Sequence, residues 1–245
     1  MSRSINIKTL QASFTHVITP AQIRQWRGAF IEMAGWENDL FHNHEGAADK
    51  YHYRYPLIQY RIWDGKAGIF AINQGVEAFQ EALYSTDWNL QWKATSYNVS
   101  IDNLRLDSHP LEMLEEPRHY TLHKYLPFNQ DNYRRWQSAN GMIQRIAILE
   151  EVLVGHILCF ATAMDYQLPD RLEVNLQNIQ DMRCLKHKVP MLAFDLEFSA
   201  NIQLPFGIGL GKSVSHGYGQ CRPQKIRRPR IKQNQSKSQF LSIPS

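Results

Sequence analysis

Two short segments far apart in the chain hold the residue types that chemistry uses. The first is Phe41-His42-Asn43-His44, with Lys50 and Tyr51 close behind. An imidazole titrates near pH 6.5, so one ring can accept a proton while its neighbour donates one. His42 and His44 therefore suit general acid–base work. They would also suit a metal ion, but an H-x-H pair needs a third or fourth ligand, and no compact Cys, His or Asp cluster completes it. A plainer reading, two exposed loop histidines, stays open.

The second segment runs from Leu204 to Gln220 and carries Gly207, Gly209, Gly211, Gly217 and Gly219, with a G-x-G-x5-G-x-G core. Glycines this dense let a backbone take positive φ and approach a ligand closely, and their N–H groups can then converge on phosphate oxygens. Lys212, Ser213 and His216 lie among them. Gly211-Lys212-Ser213 does not make a triphosphate loop, because the required earlier glycine is Phe206 and no long amphipathic helix follows. A dinucleotide fingerprint fails too, since Lys212 and Val214 stand where its last glycine would. The alternative without a ligand is a glycine-rich hairpin between the last two strands.

Other candidates are weaker. Tyr51, Tyr53, Tyr55 and Tyr60 with Arg54 and Arg61 form an aromatic and basic stretch that could stack bases and contact phosphate, or equally pack a core. His156 lies in an apolar helical stretch and reads as a hydrogen-bonded core residue. No G-x-S-x-G elbow occurs, and Glu115-Glu116 reads as a solvated pair. Cys159, Cys184 and Cys221 are odd in number and far apart, which argues against a disulfide framework or a thiolate zinc site.

The elements that must hold these segments follow from hydrophobic periodicity. Residues 5–14 alternate as a strand. Thr19-Pro20-Ala21-Gln22 has the form of a helix start, and Ile23, Trp26, Phe30 and Met33 recur on one face up to Gly35. Residues 51–63 and 66–72 read as a hairpin about Asp64-Gly65, 74–85 as a helix, and 89–101 as a strand. That order, β-α-β-β-α-β, is a ferredoxin-like unit. The second half repeats it less completely, with a strand at 119–129, one long helix capped by Asn129 or Asn132 and ending near Asp165, strands near 172–180 and 189–202, and the glycine segment. The expected organisation is α+β, two tandem ferredoxin-like domains at 1–108 and 109–221, then a basic mobile tail at 222–245.

Composition narrows the class. The chain has 245 residues, 43% hydrophobic and 20% charged, which suits a folded globular protein. No window approaches the roughly 20 uninterrupted apolar residues of a membrane span, and the N-terminus has no apolar secretory core, so the expected location is the cytoplasm. The net charge of +4 hides a division: from Ser199 onward there are eight basic residues and no acid, leaving 19 basic against 23 acidic before it. This asymmetry points to a polyanion, nucleic acid rather than membrane, since no amphipathic apolar face accompanies the charges.

Taken together, FHNHEG (41–46), YRYPLIQYRIWDGKAGIFAINQGVEAF (53–79), LPFNQDNYRRW (126–136), ILEEVLVGHILCFATAMDY (148–166) and LAFDLEFSANIQLPFGIGLGKSVSHGYGQ (192–220) stand in an order that resembles a known family. It is that of the CRISPR-associated endoribonucleases, which cut precursor CRISPR RNA within its repeats, and the likeness is greatest to the branch with an H-x-H loop. The resemblance spans nearly all of the chain up to about Gln220. It implies a cut needing no metal or other cofactor, in which the 2′-OH attacks the adjacent phosphorus and leaves a 2′,3′-cyclic phosphate and a 5′-OH. His42 and His44 match the acid and base, with Lys50 as a charge-offsetting candidate and Tyr51 as a positioning candidate. Gly207, Gly209, Gly211, Lys212, Ser213, His216, Gly217, Gly219 and Arg54 are the expected RNA contacts. CRISPR effector subunits and a second copy of the chain are further expected partners, and a non-catalytic repeat-binding scaffold is the alternative function.

Overall fold

The protein is described from a computed structural model, covering residues 4–35, 38–42, 55–85, 88–92, 95–186 and 189–224. Strand β1 (Ser4–Val17) leads through one 3-10 turn (Pro20–Gln22) into helix α1 (Ile23–Ala34) and a single helical turn, α2 (Asp39–His42). The start signal read from sequence is present, with the Thr19 N–H donating to Gln22 Oε1 at 2.9 Å and Pro20 in the first turn. Gly35 ends α1 at φ +92°, and its N–H donates back to the Ile31 carbonyl.

Strands β2 (Ile58–Trp63) and β3 (Lys66–Ile72) form the expected hairpin, with Asp64 and Gly65 both at positive φ, and helix α3 (Gln74–Ser85) follows. The next segment departs from expectation. Instead of one strand at 89–101, β4 (Asn89–Trp92) and β5 (Thr95–Asn98) pair, among the described residues, only with each other. The strand that closes the first unit is the start of β6 (Ile101–Tyr125), which pairs with β1 from Phe14↔Ile101 to Ser4↔Glu112. Its apolar signal is weak because this stretch is an edge, where β8 has not yet joined, and Leu104 and Leu106 stay exposed beside charged neighbours.

After β6 come α4 (Gln130–Gln137), α5 (Met142–Ala163), β7 (Val174–Lys186), β8 (Val189–Gln203) and β9 (Gln220–Pro223). The single long helix expected here is two helices. Asn129 does cap the first, accepting the Asn132 N–H at 2.8 Å, but Gly141 at φ +88° interrupts the helix before α5. Arg222 and Pro223, expected to begin a tail, belong to β9 and pair with Thr121 and Tyr120. The remainder of the expected tail, from residue 225, lies outside the described residues.

The other seven strands form one antiparallel sheet in the order β2-β3-β1-β6-β8-β7, with β9 also on β6. The first half of β6 with β1, β3 and β2 reproduces the ferredoxin-like order, and so does β9 with the second half of β6, β8 and β7. Two ferredoxin-like units thus share one 25-residue strand. In the second unit the glycine segment replaces the second helix.

Alternation assigns each face of the first unit to a different core. Leu10, Ala12, Phe14, Ile69 and Ala71 pack with Trp26 and Phe30 of α1 and Phe79 of α3. Ile7, Phe70 and Ile72 point the other way, into the core built around Leu149, Leu153, Ile157 and Phe160 of α5. Helix α5 therefore packs against strands of both units. By length and mean hydropathy (1.8) it could cross a membrane, but Ile148, Leu149, Val152, Leu153, Ile157, Phe160 and Ala161 are buried in this core.

Candidate functional site

Helix α1 turns Trp26 and Phe30 into the core and leaves Arg24 and Arg27 on its other side. Arg27 Nη2 donates to the His42 carbonyl at 2.7 Å, and its guanidinium lies 5.9 Å from the Tyr60 ring centre. Tyr60, on β2, donates its hydroxyl to the Phe41 carbonyl at 3.1 Å. Burial pushes the Tyr60 hydroxyl pKa up, with the Arg27 charge opposing the rise, so the phenol stays a donor. The two donors satisfy carbonyls at the end of α2 that the helix itself leaves open. The Phe41 ring, 5.6 Å from Phe30, anchors that turn in the core. The His42 side chain is only 4% exposed, with Nε2 3.7 Å from Asp39 Oδ1.

The glycine segment is fastened to β2 and to Tyr55 just before it. Tyr55 donates to the Gly209 carbonyl at 2.9 Å and Arg61 Nη2 to the Gly207 carbonyl at 3.3 Å, with Gln59 hydrogen-bonded to both side chains. Arg61 is fully buried, and that desolvation lowers its pKa to about 10. Tyr55, Tyr60 and Arg61 are thus packed inside, so the stacking surface once open for this stretch is not available at these three residues.

The glycines answer to packing. A Cβ at Gly209 would lie 2.2 Å from Val214 Cγ1, at Gly211 2.6 Å from the Tyr125 ring, and at Gly219 1.9 Å from the Leu210 carbonyl oxygen. Several N–H groups of the segment are spent inside the protein rather than left for a ligand. Gly207 donates to Cys221, Lys212 to Leu126, Gly217 to Val214 and Gly219 to Lys124 backbone carbonyls. The side chains of Lys212 and His216 are what the segment can offer a ligand, Lys212 exposed and His216 partly so; the Ser213 hydroxyl, expected as an RNA contact, is instead sealed from solvent.

These pieces meet at Arg27. The Val214–His216 turn packs on β2 and α1, with Gly217 close enough to Ile23 that a Cβ would come within 2.8 Å of its Cδ1. Between them is a cavity of about 400 Å³ lined by Ala21, Arg24, Gln25, Arg27 and His216. Arg27 thus holds the His42 backbone and also faces the cavity beside His216. Sequence reasoning did not single out Arg24 and Arg27, although their i, i+3 spacing opposite Trp26 and Phe30 marks a basic stripe on α1. His44, Lys50, Tyr51 and Arg54 lie outside the described residues. Among the described residues no three His, Cys, Asp or Glu side chains gather as metal ligands would.

A larger cavity lies elsewhere. It measures about 1430 Å³, beside α5 and the segment that enters β7, and its charged lining is Glu150, Glu151, Asp165, Asp170, Glu173 and Arg171.

Two family models match consecutive stretches of the chain, that of the Cas6b N-terminal domain over residues 3–110 and that of the Cas6b C-terminal domain over residues 112–224. The chain belongs to the Cas6b family. The models meet inside β6, at the strand both units share. A crystal structure described as Cas6b superposes with a TM-score of 0.78 at 22% identity, over 90% of this chain and 100% of the other. A second, described as the CRISPR RNA processing endoribonuclease Cas6b, gives 0.70 at 20% identity over the same shares. Both establish the fold. An uncharacterized protein of Methanocaldococcus jannaschii, MJ0978, is 27% identical over 95 residues, which are 39% of this chain and 64% of that protein.

Proposed function

We propose that this Cas6b-family protein is an endoribonuclease that matures precursor CRISPR RNA by cutting within its repeats. The family match supports the reaction class, and one observation carries the placement: Arg27 joins the backbone of His42 to the cavity that His216 of the glycine segment closes. In the reaction a base removes the 2′-OH proton, the oxygen attacks the adjacent phosphorus, and an acid protonates the departing 5′ oxygen, leaving a 2′,3′-cyclic phosphate and a 5′-OH. His42 and His44 take the two proton-transfer roles, each commonly worth 10²–10⁴-fold. Lys50 offsets charge on the phosphorane oxygens and Tyr51 positions the substrate. Arg24, Arg27, Lys212 and His216, with Arg54, contact the RNA backbone, so repeat specificity comes from base contacts or hairpin shape elsewhere. The six basic residues between 225 and 245 add an electrostatic handle for RNA or for CRISPR effector subunits.

The burial of His42 favours a second reading, a repeat-binding scaffold without cleavage. A general base has to come within hydrogen-bond reach of the 2′-OH, and a ring 4% exposed reaches it only if α2 moves. Incubation with cognate repeat RNA in EDTA tests both. The nuclease gives a single cut that a 2′-deoxy substitution at the scissile bond abolishes while binding survives. Cleavage of the deoxy RNA would eliminate the 2′-OH attack, and intact RNA throughout would leave the scaffold.

A further inference from the structure

The middle of the glycine segment rests on a buried polar pair that the proposed cleavage does not use. Tyr125, at the end of β6, is fully buried. Its hydroxyl lies 2.6 Å from Nδ1 of His156 on α5, with the rings edge to face at 5.6 Å. Gly211 packs directly against the Tyr125 ring, and the Lys212 N–H donates to the Leu126 carbonyl at 2.9 Å. The side chain of Lys212 is exposed, and its charge is felt at His156.

Hydrogen-bond accounting settles which group donates. A buried phenol must place its proton, and His156 Nδ1 is the only hydrogen-bond partner of the Tyr125 hydroxyl among the described residues. The hydroxyl therefore donates to Nδ1, which leaves the ring proton on Nε2. Nε2 itself has no partner among the described residues and is not among the sealed, unsatisfied atoms, so it faces accessible space. Burial first, and the Lys212 charge second, lower the His156 pKa to about 4, which keeps the ring a neutral donor at ordinary pH.

We propose that Tyr125 holds His156 as its Nε2–H tautomer, and that this N–H and the Lys212 ammonium together grip one phosphate oxygen of bound RNA. Resting on the reading of the glycine segment as RNA-facing, this adds a contact from α5 of the second unit, away from the His42 end. A cation paired with a neutral N–H fits a phosphodiester oxygen, since each supplies a donor and neither repels the other.

The test uses the full chain and cognate repeat RNA made uncleavable by 2′-deoxy substitution at the cut site, with binding measured across a salt series. Lys212→Ala is expected to weaken binding about tenfold and to reduce the salt slope by about 0.7, one phosphate contact on a single strand. His156→Asn is expected to weaken binding by a similar factor, about tenfold, with the slope unchanged, because the lost donor is neutral. His156→Gln, whose amide N–H falls where Nε2–H was, should stay within about twofold of the wild type. Since both groups hold one oxygen, the double variant should lose less than the product of the single losses. Nitrogen-15 correlation spectra should show the Nε2–H tautomer in the wild type and a mixture in Tyr125→Phe. An Nδ1–H tautomer in the wild type, equal affinity of the Asn and Gln variants, or strictly multiplicative losses would overturn the proposal. Failure of the nuclease reading is separate: uncut native RNA with this coupling intact would remove cleavage and leave the contact standing.

Discussion

Two concave regions of the molecule differ in size and in sign. The seam between α1 and the glycine segment is small, about 400 Å³, and its titratable lining is Arg24, Arg27 and His216. The groove beside α5 is more than three times larger, about 1430 Å³, and sets five carboxylates against Arg171. Volume alone would select the groove. Charge selects the seam, because a polyanion meets repulsion along a wall of Glu and Asp, and like-charge contact excludes partners more effectively than a good fit recruits them. Two groove carboxylates already have structural work: Glu150 accepts the Leu176 N–H at 2.9 Å, and Glu151 pairs with Arg135 at 2.6 Å.

Substitutions can break or sharpen this contrast. The largest effect is expected at the histidines: His44→Ala or His42→Ala should lower the cleavage rate 10²–10⁴-fold while RNA affinity holds, as single-turnover assays and filter binding would show. If only His44→Ala acts, His42 is a structural member of the seam. Gly219→Ala comes next, forcing a Cβ against the Leu210 carbonyl at φ +65°; a loss of about 3 kcal/mol in urea unfolding is expected, with RNA binding falling alongside.

A pH effect of similar or smaller size should come from His156. Unfolded, it takes up a proton below about pH 6.5; folded, it stays neutral down to about 4, so the unfolded state binds more protons between those values. Stability is therefore whole above pH 6.5 and falls as the pH drops towards 4, by on the order of 2–3 kcal/mol. Urea midpoints of the wild type and His156→Gln should converge at pH 4.5 relative to their difference at pH 7. Lys212→Ala should soften the acid loss, because one cause of the low pKa is gone. Arg27→Ala should cost about tenfold in RNA affinity, and more in cleavage, since the His42 carbonyl loses its donor. The smallest response belongs to the groove: Asp170→Asn with Glu173→Gln should leave RNA affinity within about twofold, and a larger loss would mean that RNA runs there too.

Local signals were readable wherever burial followed a simple period. The Thr19-to-Gln22 helix start, the Asp64-Gly65 hairpin and the alternation of β8 all appear in the folded chain. The closing strand of the first unit was not, because an edge strand buries few residues and Leu104 and Leu106 lie among charges. At the site, the glycines were visible but their reason was not. Spacing suggested donors turned outward, whereas Gly207, Gly217 and Gly219 spend their N–H groups on neighbouring backbone and owe their lack of a side chain to positive φ, with crowding added at Gly217 and Gly219. Arg24 and Arg27 carried no motif, and only the turn packed against α1 gives them a role.

The amino-acid order by itself determined α1 and α3, the hairpin, the glycine spacing, the charge division at Ser199 and the likeness to a family, because all of these are local patterns along one chain. Tertiary structure decided that two units share β6, that Tyr55, Tyr60 and Arg61 turn inward, and that α1 and the glycine segment enclose a basic seam. The reason is physical: periodicity says which face of an element is apolar, but the surface that covers it is supplied by residues such as Gly209, 154 positions beyond the Tyr55 that binds it.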